Sequence, residues 1–209
     1  STHDDPAARE KMQAELDFRA SGKERRYSWD YDESFDIYAW NRDNGELRNL
    51  TAVLGYDAEG AYSPDGKQIV FASNRRAFTA DVNAVEKKLF EHDKSYLMDL
   101  YLMDADGGNK TRLTDNGATN WAPSWHPDGK RIIFSSNMDD WREDLNTYGH
   151  NFELYLINSD GSGLQRLTYN DVFDSFPMFS PDGGKIVFGA NRNPDKPRAT
   201  DVFIADWVE

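Results

Sequence analysis

The chain has 209 residues, with 37 acidic and 24 basic side chains and a formal net charge of −13. This excess of negative charge argues against nucleic acid and anionic membrane surfaces as partners, because both would repel it. The sequence contains no cysteine, which excludes disulfide bonds and thiolate chemistry, and it has no apolar run that would insert into a membrane. A chain of this length can bury a full hydrophobic core.

The N-terminal segment is predicted to be helical. Residues 6–16 are rich in helix formers, with Asp5 as the capping residue, and predict a helix of about three turns. Residues 19–34 are polar and aromatic, contain Trp29, and are interpreted as an ordered loop. We assign residues 1–34 to a helix-and-loop insertion that precedes a repeat array over residues 35–209.

Two kinds of hairpin alternate along the repeat array. A Pro-Asp-Gly turn recurs at 63–66, 126–129 and 180–183, where proline presets φ and glycine accepts the left-handed exit. The second hairpin begins at an acidic residue each time: Asp36, Asp99, Glu153 and, in a fourth copy, Asp201. Repeated units of four β-strands, roughly 40 to 50 residues long, are typical of a β-propeller.

The predicted fold class is therefore all-β, a propeller of four-stranded antiparallel blades. The pattern predicts two strands, two complete blades and then three strands, which is about three and a half blades. Because such an arc cannot close by itself, we expect further blades from a longer chain or from a second chain. Residues 1–34 then form an insertion in an incomplete first blade.

Insertions occur at one kind of connection. The links between second and third strands are long, at 76–96, 138–151 and 193–200, and residues 82–90 predict a short helix. In a propeller these links share a face with the links between blades, so we expect one crowded, partner-binding rim. The tryptophans Trp29, Trp121 and Trp141 lie in such links. Polar residues that follow the second strands are further candidates: Asn74, Arg75, Asn137, Asn191 and Arg192.

The links between blades lead into the innermost strands, beside the expected central channel. Asp57, Asn120 and Asp174 occupy equivalent positions there, and Tyr56 precedes the first. By the same register Glu59 is equivalent to Ala122 and Phe176. A ring of carboxylates and amides at a channel mouth is a candidate site for calcium or for a basic or hydroxyl-rich ligand. The alternative is that these residues cap strand ends, which the lack of a compact Asp-x-Asp-x-Asp loop favours. No other cofactor is expected.

No catalytic motif is evident in the sequence. It lacks a Gly-x-Ser-x-Gly elbow, a glycine-rich phosphate loop and a His-Glu-x-x-His pair. Asp57 and Glu59 are spaced as an acid and base could be, but pairs of this kind are expected by chance among 37 acidic residues. We therefore expect a protein that is not an enzyme.

The repeat units at 62–75 and 99–114 resemble the TolB-type propeller repeat, and the likeness covers residues 35–209. This resemblance implies a six-bladed propeller, exported to the periplasm or cell surface, that acts as a non-catalytic binding scaffold. The long insertions depart from TolB itself. Two hypotheses follow: a propeller that binds protein partners in the cell envelope or a larger complex, and one that binds a metal, glycan or peptide at the channel mouth. The same repeats also form the non-catalytic propeller of some peptidases.

Overall fold

The computed structural model of the protein describes residues 6–22, 31–195 and 199–208. Within these ranges the chain forms two α-helices and a series of short antiparallel strands. The helices are α1 (Pro6–Ala20) and α2 (Ala84–His92). The strands are β1 (Tyr38–Trp40), β2 (Leu47–Asn49), β3 (Asp57–Tyr62), β4 (Gln68–Ser73), β5 (Asp99–Asp104), β6 (Thr111–Arg112), β7 (Asn120–Trp125), β8 (Arg131–Ser136), β9 (Trp141–Arg142), β10 (Thr147–Tyr148), β11 (Glu153–Asn158), β12 (Gln165–Arg166), β13 (Asp174–Phe179), β14 (Lys185–Ala190) and β15 (Asp201–Asp206).

Both predicted helices are present, with shifted bounds. Helix α1 continues past the predicted end at residue 16, because no helix breaker occurs before Gly22, which has the left-handed φ of 66°. Helix α2 begins two residues later than predicted. Its cap is Asn83, whose side chain accepts from the helix N-terminus, while Glu86 reaches back to the Asn83 backbone N–H.

The strands form the predicted blades. Two complete sheets have the order β3-β4-β5-β6 and β7-β8-β11-β12, a third has the order β13-β14-β15, and β1 pairs with β2. The all-β propeller architecture is therefore confirmed, and the described residues form an arc rather than a closed ring. Strands β9 and β10 form an extra hairpin inside the insertion at 138–151, which the sequence analysis treated only as a long link.

Every innermost strand contains the same irregularity. The pairing of β3, β7 and β13 with the second strand shifts register once, and the residue at the shift has a left-handed φ. These residues are Glu59, Ala122 and Phe176, with φ of 59°, 51° and 57°. A β-bulge of this kind bends its strand and turns the backbone N–H away from the ladder. The predicted equivalence of the three residues is confirmed.

Blades pack face to face through apolar side chains. One cluster joins the sheet of β3–β6 to the next sheet, and a second joins that sheet to β13–β15. In the first cluster Leu100 and Val70 pack with Phe134 and Tyr155, all nearly or completely buried. Side chains from second and third strands therefore build the core, which makes blade-to-blade packing the main apolar contribution to stability.

The links between second and third strands and the links between blades share one side, which we call the insertion face. Two buried asparagines join the two kinds of link. Each accepts from a backbone N–H of the blade-to-blade link and donates to a carbonyl of the insertion. The contacts are Tyr56 N–H to Asn74 and Asn74 to the Lys94 carbonyl, at 2.8 and 3.0 Å, and Thr119 N–H to Asn137 and Asn137 to the Gly149 carbonyl, both at 2.9 Å. The predicted crowding of one face is confirmed.

Gly55 provides a test of how closely the blade-to-blade link packs on the residues that follow β4. At Gly55, with φ of 142°, a β-carbon would lie 2.6 Å from the Cα of Arg75, whereas at Gly45 it would contact nothing. We expect Gly45→Ala to cost about 1 kcal/mol because of its left-handed φ, and Gly55→Ala to cost at least about 2 kcal/mol more. Urea unfolding of both variants measures the difference. Equal losses would show that this link does not rest on Arg75.

Candidate functional site

The predicted ring of Asp57, Asn120 and Asp174 is buried rather than open. All three side chains are inaccessible to solvent. Asp57 and Asp174 each bind an arginine that follows the second strand of the same blade, whereas Asn120 binds the Met98 carbonyl of the preceding blade and Asn116 of the link. Asp57 accepts from the Ser73 hydroxyl and, at 2.8 Å, from Arg75. The expectation that these residues present oxygens at a channel mouth is therefore wrong. The physical reason is that other groups of the chain already satisfy these side chains. Residues at or after the second strand donate to Asp57 and Asp174, and Asn120 donates to the Met98 carbonyl, so the residues cap strand ends, as the alternative interpretation holds.

Arg75 and Arg192 have the same role in different blades. Arg75 extends across the stacked rings of Phe71 and Tyr101, at 5.0 and 5.1 Å from their centroids, and its guanidinium reaches Asp57. Burial raises the pKa of the Asp57 carboxyl, against the opposing effects of Ser73 and Arg75. The guanidinium is thus held between an aromatic face and a buried carboxylate.

In the last blade the arrangement is repeated with Arg192. Its Nε donates to Asp174 at 3.0 Å, and the guanidinium lies 5.2 Å from the Phe188 centroid. Asn170 adds a further donor to Asp174 at 2.8 Å. Two blades therefore carry the same internal ion pair. The Arg75 side chain is 13% exposed and that of Arg192 is 36% exposed, so Arg192 is the more accessible of the two to a partner.

The middle blade replaces this ion pair by a neutral one. Asn120 occupies the position of the aspartates, and Met138 that of the arginines. Asn120 donates to the Met98 carbonyl and to Asn116, both at 2.9 Å, and Asn116 also contacts the Met138 sulfur at 3.6 Å. The middle blade thus has neither the aspartate nor the arginine of the other two blades. Either charge by itself would be buried without its partner.

Glu59 and Trp121 connect neighbouring innermost strands. The Glu59 carboxylate accepts from the backbone N–H of Ala122, the bulge residue of the next blade. Glu59 is accessible to solvent but enclosed by protein atoms on most sides, and this desolvation raises its pKa. The Trp121 indole donates to the Ser175 hydroxyl at 3.0 Å and stacks on Phe152, with centroids 4.6 Å apart. Both residues therefore brace the channel-facing side of the arc.

The remaining predicted residues lie on the insertion face. The half-buried Tyr56 ring stacks on Phe35, at 5.1 Å. Asn191 joins its link through its backbone N–H to the Phe173 carbonyl and accepts from Thr200. Trp141 is exposed at the start of β9, opposite Tyr148, and packs edge-on against that ring. Trp29 lies outside the described residues.

The two long insertions contact each other. The Tyr96 hydroxyl donates to the Tyr148 carbonyl at 2.7 Å, and the Thr147 hydroxyl donates to Tyr96 at 3.0 Å. The Tyr148 hydroxyl in turn donates to the Asn116 carbonyl at 2.6 Å. Together α2, residues 93–98 and the β9–β10 hairpin form one continuous surface, which we call the insertion platform. It borders an open cavity of about 580 Å³, lined by both insertions and by the blade-to-blade link at Asp171 and Phe173.

An apolar groove lies beside this cavity, between α2 and the β9–β10 hairpin. Its volume is about 450 Å³, and its walls include Val85, Leu89 and Leu145, with Lys88 and His92 along one side. Sequence analysis did not find this groove, because its two walls are about 60 residues apart in the chain. The hydrogen bonds of Tyr96 with Tyr148 and Thr147 hold the walls together in the folded structure.

A buried ion-pair cluster beneath α2 was also missed. Arg76 donates to Glu86 on α2 at 2.7 Å and to Asp99 on β5 at 3.4 Å, while Arg112 lies 3.7 Å from Asp99. Burial raises the pKa of Asp99 to about 7, despite both arginines. The sequence does show the repeated acidic residue at the start of each third strand. It does not show that Arg76 and Arg112 lie beside Asp99, so the sequence analysis assigned this residue no role.

The described residues contain no group of three or more histidine and acidic side chains arranged to hold a metal ion. Calcium binding stays a prediction, and its proposed ligands Asp57 and Asp174 already use both carboxylate oxygens within the blade.

The neutral pair of the middle blade suggests a substitution test in the first complete blade. Arg75→Met leaves Asp57 buried without its cation, and we expect a loss of roughly 3 to 5 kcal/mol in the free energy of unfolding. The double variant Asp57→Asn with Arg75→Met removes both charges together, as Asn120 and Met138 do in the middle blade, and should recover most of this loss. Urea unfolding measures both, and no recovery in the double variant would contradict the interpretation. Arg192→Met is the matched control and should cost less, since Arg192 is more exposed.

Asp99 predicts a pH dependence of stability. Its carboxyl has a pKa of about 7 in the folded chain and about 3.9 when unfolded, so the folded state retains a proton that the unfolded state loses between these values. The free energy of unfolding should therefore fall as pH rises through this window, by up to about 1.4 kcal/mol per pH unit, and level off above it. Asp99→Asn should flatten this part of the profile. Urea unfolding at a series of pH values checks it, and an unchanged slope in the variant would refute the assignment.

Comparison with known proteins supports the fold and its repeat type. No protein-family model matches the chain. It is 30% identical over 156 residues to the Tol-Pal system protein TolB of Helicobacter hepaticus, covering 73% of this chain and 31% of that relative. A solved structure of TolB from Agrobacterium tumefaciens superposes with a TM-score of 0.59 at 26% identity, over 82% of this chain and 52% of that one.

A further relative, described as the peptidase YuxL of Bacillus subtilis, is 25% identical over 171 residues, which is 68% of this chain and 23% of the relative. The chain thus spans about half or less of the length of these proteins. The repeats, the blades with their bulged inner strands and the two TolB similarities agree with one another. The chain is a TolB-like β-propeller chain.

Proposed function

We propose that this TolB-like propeller is a non-catalytic protein–protein interaction scaffold of the cell envelope, and that the insertion platform is its partner-binding surface. The observation that carries the proposal is the direct packing of the two long insertions on each other through Tyr96 and Tyr148. Hydrogen bonds to backbone carbonyls fix both rings. A partner would meet a surface that is already ordered, which lowers the entropy cost of binding.

The platform also exposes apolar groups. Leu145 is 67% exposed, and Val85 is exposed on the other wall of the groove between α2 and the β9–β10 hairpin. Trp141 is exposed on β9 of the same hairpin. Exposed apolar residues grouped around a groove are typical of protein-binding sites, and aromatic residues often carry much of the binding energy. The side chains that form the buried polar pairs at the strand ends are, by contrast, already occupied within the chain.

The comparisons support an envelope role at a coarser level. One relative is named as a component of the Tol-Pal system, and we extend to this chain the periplasmic location that the TolB-like repeat implies. Neither described helix is long and apolar enough to cross a membrane. The relative described as a peptidase keeps open a second role for the same platform, in which its partner is a hydrolase.

Site-specific photo-crosslinking in the intact envelope tests the platform. A photoreactive residue replaces Leu145, on the platform, or Leu164, an exposed leucine in the turn between β11 and β12 on the opposite side. We expect a discrete protein adduct from the Leu145 position and none from Leu164. Adding Trp141→Ala should lower the adduct yield roughly threefold or more, while the melting temperature stays within a few degrees of the parent. Equal adducts from both positions, or none from either, would refute the proposal.

A further inference from the structure

The apolar groove of the insertion platform adjoins further depressions on the insertion face. It shares His92, Leu145 and Thr147 with the open cavity of about 580 Å³. That cavity in turn shares Asn151 and Asp171 with a polar depression of about 410 Å³. Together the three depressions extend from α2 to the link between the blades that contain β11 and β13. We call this series the platform furrow.

The end of the platform furrow at α2 is apolar and carries one positive charge. Val85 and Leu89 on the helix face Leu145 on the hairpin, and Lys88 lies on the same helix wall. Such a groove accepts an apolar side chain of a ligand, because burying it removes apolar surface from water. Lys88 disfavours a basic group at this end.

The opposite end is acidic, but most of its charges are paired within the chain. Its walls contain four carboxylates and one arginine: Asp139, Asp140, Glu153, Asp171 and Arg166. Arg166 donates to Asp139 at 3.1 Å and to Glu153 at 3.0 Å. Asp140 accepts from Arg142 at 2.7 Å. Three of the four carboxylates therefore have an arginine as partner.

Asp171 is the exception. It is exposed, and within the part of the chain that the structure describes its side chain makes neither a hydrogen bond nor an ion pair. Arg192 lines a further depression beside Asp171, but its guanidinium is held by Asp174. Asp171 is thus a carboxylate still available to a cation at the junction of these depressions.

Asn151 supplies a second acceptor at this junction. It lines the same two depressions that Asp171 joins, and its side-chain oxygen is buried without a hydrogen-bond partner among the described residues. Its side-chain nitrogen is occupied, since it donates to the Asn170 carbonyl at 2.7 Å. A buried acceptor without a donor is unfavourable, so the junction favours a ligand that brings N–H donors.

We propose that the platform furrow binds an extended segment of a partner polypeptide, with an apolar side chain in the groove between α2 and Leu145 and an arginine at Asp171. A guanidinium presents five N–H donors in a planar fork, so it can bind a carboxylate through two hydrogen bonds and offer others to nearby acceptors. Lys88 sets the direction of the segment, because it would repel the arginine at the α2 end. This inference rests on the proposed function, because it names the chemistry of the partner that the platform binds.

The photoreactive residue at position 145 tests the inference in the intact envelope when it is combined with a change at Asp171. We expect Asp171→Asn to lower the yield of the protein adduct about fivefold, because the arginine loses its carboxylate. Asp43→Asn is the matched control and should leave the yield unchanged: Asp43 is exposed in the turn between β1 and β2, on the opposite side, and its loss removes the same charge. Both aspartates are exposed, so the melting temperatures should stay within about two degrees of the parent.

Exchange of the charges provides the second arm. Mass spectrometry of the adduct identifies the partner segment, which should contain an arginine near the crosslinked residue. Replacing that arginine by glutamate should remove most of the adduct, and Asp171→Arg should restore it. A segment without an arginine, or a yield that Asp171→Asn leaves unchanged, would overturn this inference and leave the proposed function intact. No adduct at all from position 145 would overturn both.

Discussion

The structure depends on pairing polar groups that are buried where the strands of each blade meet the insertion face. Asp57 and Asp174 are fully buried, and each is matched by an arginine from the end of the second strand. Asn120 solves the same problem without charge. A buried carboxylate without its cation would cost more than the surrounding contacts gain. The residues at these strand ends therefore recur as pairs, either both charged or both neutral, at the same end of each sheet.

Because the side chains at these strand ends are occupied in internal pairs, they are not available to bind a partner. The links between strands carry the exposed residues that can. Asn74 and Asn137 hold the ends of the two long insertions, with hydrogen bonds to the blade-to-blade links, and leave the residues between them free of this constraint. Between the anchors the chain forms α2 in one blade and the β9–β10 hairpin in the next. Their contact through Tyr96 and Tyr148 turns two separate excursions into one surface with an apolar groove.

The cluster around Asp99 connects this surface to the blade beneath it. Arg76 contacts both α2 and β5, so the position of the helix depends on the same kind of buried pairing that holds the strand ends. With a pKa of about 7, Asp99 changes its charge within the range in which most proteins work. Helix α2, one wall of the groove, is therefore linked through Arg76 to a carboxyl group, Asp99, that is protonated in mildly acidic and ionised in mildly basic conditions.

Repeats at a constant spacing made the blades, the order of their strands and the face carrying the insertions predictable, because each turn and each alternating strand is a local feature. The equivalence of Glu59, Ala122 and Phe176 could be predicted for the same reason, although the bulge itself could not. Helix bounds were off by a few residues, since capping by Asn83 and termination at Gly22 decide them locally.

Sequence alone thus determined the fold class, the repeat type and the side of the arc where elaborations gather. Tertiary structure decided which polar residues are free. Asp57, Asn120 and Asp174 resemble an open ring in sequence. Each has a hydrogen-bond partner about 16 to 22 positions away, and only the folded structure shows that these partners occupy the polar groups. The groove between α2 and Leu145 is likewise a product of packing, because it exists only where these two insertions meet.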